Sequence, residues 1–210
     1  MARPSNTDER RAQITGALVK VMAKRGYDGA SIADIAKSAG LTPGLVHYHF
    51  KNKQEILLAA LNELSARHTA DLTTRLAGSG SDPIAELEAF VDFHLGLGSD
   101  ADPEGLAMWI LLSGEALRDA RVRVEFTKAV ERTRAILESI LQRGVSEKAF
   151  TCHSVEAAAS ALVALIQGYF VLAATARSLI PKGSAALTAK RMAEGLLRPK
   201  RSFSSRGASS

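Results

Sequence analysis

Apolar residues recur at intervals of three and four along nearly the whole chain and never alternate over a strand's length. The spacing predicts an all-α fold of about nine helices. The first is expected over residues 7–25, with Ile14, Leu18, Val21 and Met22 on one face and Arg10, Arg11, Lys20 and Lys24 on another, and Gly26 closes it. Two short helices follow within residues 31–50, and a long fourth runs over 53–76 through Ile56, Leu57, Ala60, Leu61 and Leu64, linking two domains. The run GSGSDP at 78–83 marks the boundary, and Pro83 suits the first turn of a fifth helix reaching 98. The polar loop SDADPEG separates it from a sixth over 103–117, and the last three are expected over 120–144, 154–177 and 184–197. No fixed period repeats, which argues against a solenoid.

Residues 31–50, SIADIAKSAGLTPGLVHYHF, carry the punctuation of two helices joined by a tight turn. Ser31 is a helix N-cap, Ile32, Ile35, Ala36 and Ala39 form an apolar stripe, and Gly40 allows the sharp exit that a Cβ would obstruct. Leu41 follows as an apolar plug, Thr42 is a second N-cap, and Pro43 stands at the first helical position, where its missing N–H costs nothing. In helix-turn-helix proteins the second helix enters the major groove of DNA while the first crosses the backbone. On that pattern Thr42, Gly44 and His47 face base edges, Ser31, Tyr48 and Lys53 hold phosphates, and Pro43, Leu45 and His49 complete the DNA-facing segment.

The ordered series GY, S-I-x-x-I-A, AGL, YHF and NK, preceded by ITGALVKVMAKRGYDGAS and ending HYHFKNKQEIL, resembles the DNA-binding domain of the TetR family of bacterial regulators. Pro43-Gly44 departs from the bulkier polar residues that many relatives carry there, which shifts base readout toward His47 and its neighbours. The segment MWILLSGEALRDARVR is similar to the carboxy-terminal half of BetI-type members. The resemblance implies a three-helix helix-turn-helix domain over 8–68 and a helical ligand-binding and dimerisation domain over 69–197. It also implies a homodimer whose last two helices form a four-helix bundle about a twofold axis. Such a dimer reads a palindromic operator with half-sites roughly 34 Å apart, or a multiple. The expected activity is ligand-responsive regulation, most simply repression relieved by a small, mainly apolar effector. Two other readings fit the same residues: a regulator whose carboxy-terminal half is only a dimerisation core, and a nonspecific DNA-coating protein.

Charge sharpens the division. The net charge of +5 is unevenly placed: residues 1–68 hold 10 Lys/Arg against 6 Asp/Glu, residues 69–197 hold 13 against 16, and the tail from Arg198 holds 4 against none. A basic amino-terminal domain fits phosphate binding. The tail RPKRSFSSRGASS, residues 198–210, is rich in Ser and Gly and poor in apolar residues, so it is expected to be disordered and basic. Residues 157–176 are the longest apolar tract, but Ser160, Gln167, Gly168, Tyr169 and Thr175 interrupt it, so it reads as an interface helix and not a bilayer span. No apolar leader stands at the amino terminus and Cys152 is the single cysteine, so the cytoplasm is the expected compartment.

The carboxy-terminal half offers a candidate effector chamber in Phe90, Phe93, His94, Met108, Trp109, Leu112, Glu115, Phe126, Gln167 and Phe170, an apolar lining with a few polar groups. The candidate dimer interface is Ala157, Ala161, Leu162, Leu165 and Ile166 on the eighth helix with Leu187, Met192 and Leu196 on the ninth, where small residues admit close approach and larger ones bury area. Enzyme chemistry finds no foothold. His47 and His49 are two apart and do not share a helix face, no phosphate loop or nucleophile elbow is present, and Glu86 and Glu88 read as a solvated face. No metal or cofactor is called for, and the expected partners are double-stranded DNA, a small effector and a second copy of the chain.

Overall fold

The computed structural model describes residues 6–96 and 103–203, and the helices found there meet the all-α expectation. They are α1 (Asn6–Arg25), α2 (Ile32–Ala39), α3 (Pro43–His49), α4 (Lys53–Ala77), α5 (Pro83–Leu95), α6 (Pro103–Arg118), α7 (Ala120–Ser146), α8 (Val155–Thr175) and α9 (Ser184–Leu197). The end of the fifth helix expected at 97–98 lies outside the described residues. The eighth stops two residues early: Ala176 leaves helical geometry at φ −146°, and a single 3-10 turn, Arg177–Leu179, carries the chain toward Pro181.

The chain divides into two compact units, one of residues up to 66 with 104–129, the other of 67–103 with 130 onward. The division expected at 68/69 therefore differs from the packing, because α6 and the start of α7 group with the amino-terminal helices. The reason lies in the first unit's core. Ile14, Leu18 and Met22 of α1 are buried with Ile35, Val46, Phe50, Ile56, Leu57 and Leu61, and Met108, Leu112 and Val122 belong to the same cluster. A polar junction adds to this. Asp119 caps α7 by accepting the N–H of Arg121 at 2.8 Å, and its other oxygen accepts from Gln54 of α4, whose own oxygen accepts from Arg121. The backbone N–H of Arg121 is the first cause holding the Asp119 carboxyl below its usual range.

The second unit packs α5 against α8 and α9 around Leu87, Phe90, Leu162, Ile166 and a row of small residues, Ala185, Ala186, Ala189 and Ala193, that lets α9 come close to α5. Between those two helices Lys190, 2% exposed, donates to Asp92 at 2.7 Å. Removing one partner of such a pair leaves an uncompensated buried charge. Glu86, expected on a solvated face, is instead buried and paired with Arg143 of α7. The start of the tail is also corrected. Residues 198–203 are built into this unit: Lys200 N–H donates to the Ala149 carbonyl at 3.0 Å, Arg201 pairs with Asp82, and Phe203 is buried in the core with its N–H on Glu194. Residues 204–210 lie outside the described residues.

Gly144 is the tightest glycine. A Cβ there would overlap Cδ2 of Phe150, whose ring lies against the α7 backbone. Gly144→Ala should therefore destabilise the protein by roughly 1–3 kcal/mol through overpacking. Gly195→Ala, whose Cβ would meet nothing within 4 Å beyond its own helix backbone and chain neighbours, should be neutral or stabilising. Thermal denaturation compares the two, and equal midpoints would show that Phe150 moves aside freely.

Candidate functional site

The helix-turn-helix is set by local chemistry at each joint. Ser31 Oγ accepts the N–H of Asp34 at 3.0 Å and donates to its carboxylate at 2.6 Å, and the Asp34 carboxylate accepts the Ser31 N–H, a reciprocal cap on α2. The same hydroxyl, first among several causes, holds the Asp34 carboxyl below its ordinary range. Gly40 takes the left-handed conformation, φ 66°, and its N–H and that of Leu41 close the end of α2. Thr42 then caps α3 by accepting from Leu45 N–H at 3.3 Å, with Pro43 as the first helical residue.

Both motif helices end on donors from α1. Gln13 Nε2 reaches the Ala39 carbonyl at 2.6 Å, and Arg11 Nη1 reaches the His49 carbonyl at 2.6 Å while its guanidinium lies 4.0 Å from the Phe50 ring centroid. These supply partners that helix ends lack internally, and the Arg11 cation suits the negative end of the α3 dipole. No sequence signal singled them out, because the contacts span 26 and 38 residues.

Val46 turns inward and leaves Thr42, Pro43, Gly44, His47 and Tyr48 exposed on the opposite side of α3, with Leu45 and His49 half-buried. Tyr48, 81% exposed, meets the edge of the His49 ring. Two expected phosphate contacts are more engaged than the sequence suggested. The Ser31 hydroxyl is committed to the cap, and Lys53 Nζ donates to the Tyr27 carbonyl at 2.7 Å while resting 4.2 Å from that ring's centroid. An ammonium carries three donors, so Lys53 keeps two.

The expected chamber residues divide between the units. Met108, Trp109, Leu112, Glu115 and Phe126 belong to the first, where Met108 and Leu112 are core and Trp109 packs on Phe126 at 4.4 Å between centroids. Phe90, Phe93, His94, Gln167 and Phe170 belong to the second. There His94 sits among the rings of Phe90, Phe93, Phe170 and His68, the last a residue that sequence spacing did not suggest. Its Nδ1 lies 2.8 Å from the Phe90 carbonyl, and its Nε2 lies 3.2 Å from His68 Nε2. A carbonyl only accepts, so His94 donates through Nδ1 and takes the His68 N–H on Nε2. Burial, then the neighbouring His68, brings the His94 imidazolium pKa down to about 3, and burial lowers that of His68 as well.

The expected dimer residues also separate. Leu162 and Ile166 are corrected: both are buried in their own unit's core, so they cannot face a second chain. Ala157 and Ala161 are exposed, and they continue into a stripe through Ala164, Gly168, Val171, Leu172 and Thr175 along α8. On α9 Met192 and Leu196 are 54% and 42% exposed, while Leu165 and Leu187 are half-buried. By length and composition α8 is the one helix among the described residues apolar enough to cross a membrane, with 28% of that stretch buried.

A capped, glycine-turned pair of short helices on a basic three-helix base defines a helix-turn-helix transcription regulator. Residues 14–60 match the family of bacterial regulatory proteins named for TetR, and residues 83–198 match the carboxy-terminal domain of BetI-type transcriptional repressors. The chain belongs to the TetR family and carries a BetI-type carboxy-terminal domain. It is 29% identical over 165 residues to the transcriptional regulator BetI of Agrobacterium fabrum, covering 77% of this chain and 75% of that one. It is 26% identical over 114 residues to BetI of Rhizobium meliloti, a match spanning 54% of this chain and just over half, 55%, of that relative. A solved structure of a transcriptional regulator from Saccharomonospora viridis in complex with choline has the same fold, with a TM-score of 0.82 at 22% identity over 92% of this chain and 100% of that one.

The histidine pair makes stability fall with falling pH. Unfolded, each imidazole titrates near 6.5; folded, His94 resists protonation to about 3. Below 6.5 the unfolded chain binds more protons, so stability present above that pH is lost as the pH falls, approaching about 1.4 kcal/mol per pH unit for each imidazole involved. Denaturation midpoints between pH 7.5 and about 5 should fall more steeply for the natural protein than for His94→Gln. Parallel curves would remove His94 from the effect.

Proposed function

We propose that this regulator binds a palindromic operator as a homodimer and represses transcription until a small, mainly apolar effector releases it. The observation carrying the reading is the exposed row Thr42, Pro43, Gly44, His47 and Tyr48, held on a base that α1 ties at both helix ends. His47 reads base edges with Thr42 and Gly44, and Tyr48 and Lys53 hold phosphates, the Lys53 ammonium reaching out with the donors that Tyr27 leaves it. Acting on DNA, the protein works in the cytoplasm.

Dimerisation is proposed through the outward stripes of α8 and α9, where Ala157, Ala161 and Ala164 permit close helix approach and Val171, Leu172, Met192 and Leu196 supply apolar area. The effector is assigned to the second unit, against Phe90, Phe93, His94, Gln167 and Phe170 with His68 added. A neutral histidine pair there offers a polar anchor without a buried charge, and the aromatic faces suit either an apolar body or an organic cation. Release requires the effector to prefer a conformation that binds DNA poorly, and a 100-fold effect needs about 2.7 kcal/mol of coupling. Because α4 contributes residues to both units, a tilt of that helix is the simplest carrier of the coupling.

The upstream region of the protein's own gene, labelled and titrated at physiological salt, should bind far more tightly than a random duplex. His47→Ala should change sequence preference, whereas Tyr48→Phe and Lys53→Ala should weaken all sequences, the latter lowering the salt slope by about one unit. Equal competition by random duplex would leave only nonspecific binding. Ala161→Glu and Leu172→Glu place an unpaired charge in the proposed interface and should yield monomers by sedimentation, with DNA affinity falling in parallel. Dimers that persist in both variants would move the interface elsewhere.

A further inference from the structure

The first unit holds a cleft that neither the helix-turn-helix nor the aromatic nest uses. It has a volume of about 620 Å3 and lies among the second half of α1, α2 and α6. That size falls within the roughly 300–1,000 Å3 of small-molecule sites. Its lining is amphipathic: Val19, Ala23 and Leu111 give accessible apolar surface over the buried Val21 and Met108, and Lys20, Lys24 and Lys37 are exposed at it. Arg25 and Asp34, also in the lining, satisfy one another at 2.9 Å. That pairing leaves three ammoniums for which no carboxylate stands within ion-pair distance among the described residues. Lys20 and Lys24 are one helical turn apart on α1, so their charges share a face.

We propose that this cleft binds a small amphipathic anion, with a phosphate or carboxylate head taken by Lys20, Lys24 and Lys37 and an aliphatic body laid on Val19, Ala23 and Leu111. Cations alone would suit a DNA backbone equally well, but a duplex has no aliphatic part to place on an apolar floor, and the recognition helix α3 contributes nothing to the lining. The head fits the unmatched positive charge, and the body fits the floor. Since α1 and α2 position α3, an occupant here acts on the DNA-reading unit directly and constitutes an effector site separate from the aromatic nest. The site stands on the cleft's own residues and does not depend on the operator or on repression.

Full-length protein titrated calorimetrically with dodecyl phosphate, below its micelle concentration, tests the assignment. Saturable binding of one molecule per chain is expected, with dodecyltrimethylammonium and dodecanol each at least about tenfold weaker, as loss of a charge-assisted contact implies. The triple variant Lys20→Gln, Lys24→Gln, Lys37→Gln should weaken dodecyl phosphate about tenfold or more with unchanged helical content by circular dichroism. Ala23→Trp, which fills the cleft from its α1 side, should block binding while leaving the charges in place. Equal affinity for the three head groups, or a triple variant that binds as the natural protein does, overturns the proposal. So does a triple variant that loses affinity for random duplex at about 0.15 M salt while keeping dodecyl phosphate, because the lysines would then belong to the DNA interface.

Discussion

Helices of eight and seven residues are marginal in water by themselves, since nucleation costs more than a few internal hydrogen bonds return. Everything this protein does with α3 therefore depends on docking the motif onto α1. Burial of Ile35, Ala36, Ala39, Val46 and Phe50 beside Ile14, Leu18 and Met22 supplies the attraction. Direction comes from hydrogen bonds: Gln13 and Arg11, two positions apart on α1, take the final carbonyls of α2 and α3 respectively. With the N-caps Ser31 and Thr42 at the other ends, each short helix is held at both termini, and the exposed row from Thr42 to Tyr48 keeps one orientation.

The second unit solves a different problem, which is to hold polar groups inside an all-helical core. Lys190 with Asp92 and Glu86 with Arg143 join α9 and α7 to α5, so the helix carrying Phe90, Phe93 and His94 is pinned on two sides by charge pairs. The histidine pair differs because it remains neutral. Burial is the first cause lowering the pKa of both rings, and for His94 the adjacent His68 is the second, since protonating His94 would turn an N–H against the N–H of His68. A neutral, oriented pair beside three phenylalanines is suited to recognition more than to charge storage. On the far side of the unit, α8 and α9 leave an apolar surface that a second chain can cover, and such a surface is costly to leave in water.

Sequence reading failed wherever an assignment turned on which neighbour a helix face meets. Glu86 looked solvated because nothing nearby in the chain neutralises it, and its partner Arg143 lies 57 residues away. Leu162 and Ile166 looked like interface because they share a helix with the small residues, yet they point into their own core. The tail looked disordered from composition, but Phe203 finds a place in that core and Arg201 finds Asp82. Met108 and Leu112 looked like lining of the carboxy-terminal effector chamber, but α6 completes the core of the first unit instead.

What the chain determines by itself is whatever short-range chemistry controls: helix spacing, the caps at Ser31 and Thr42, the left-handed turn at Gly40, and hence the helix-turn-helix. Those features act within three or four residues and need no distant partner. Tertiary structure alone decided that α6 packs with the DNA-reading helices, that His68 joins His94, that Arg11 and Gln13 finish the motif, and that three lysines frame an apolar cleft. Each joins residues far apart in sequence, and a helical pattern records only that a face is apolar, not which surface will bury it.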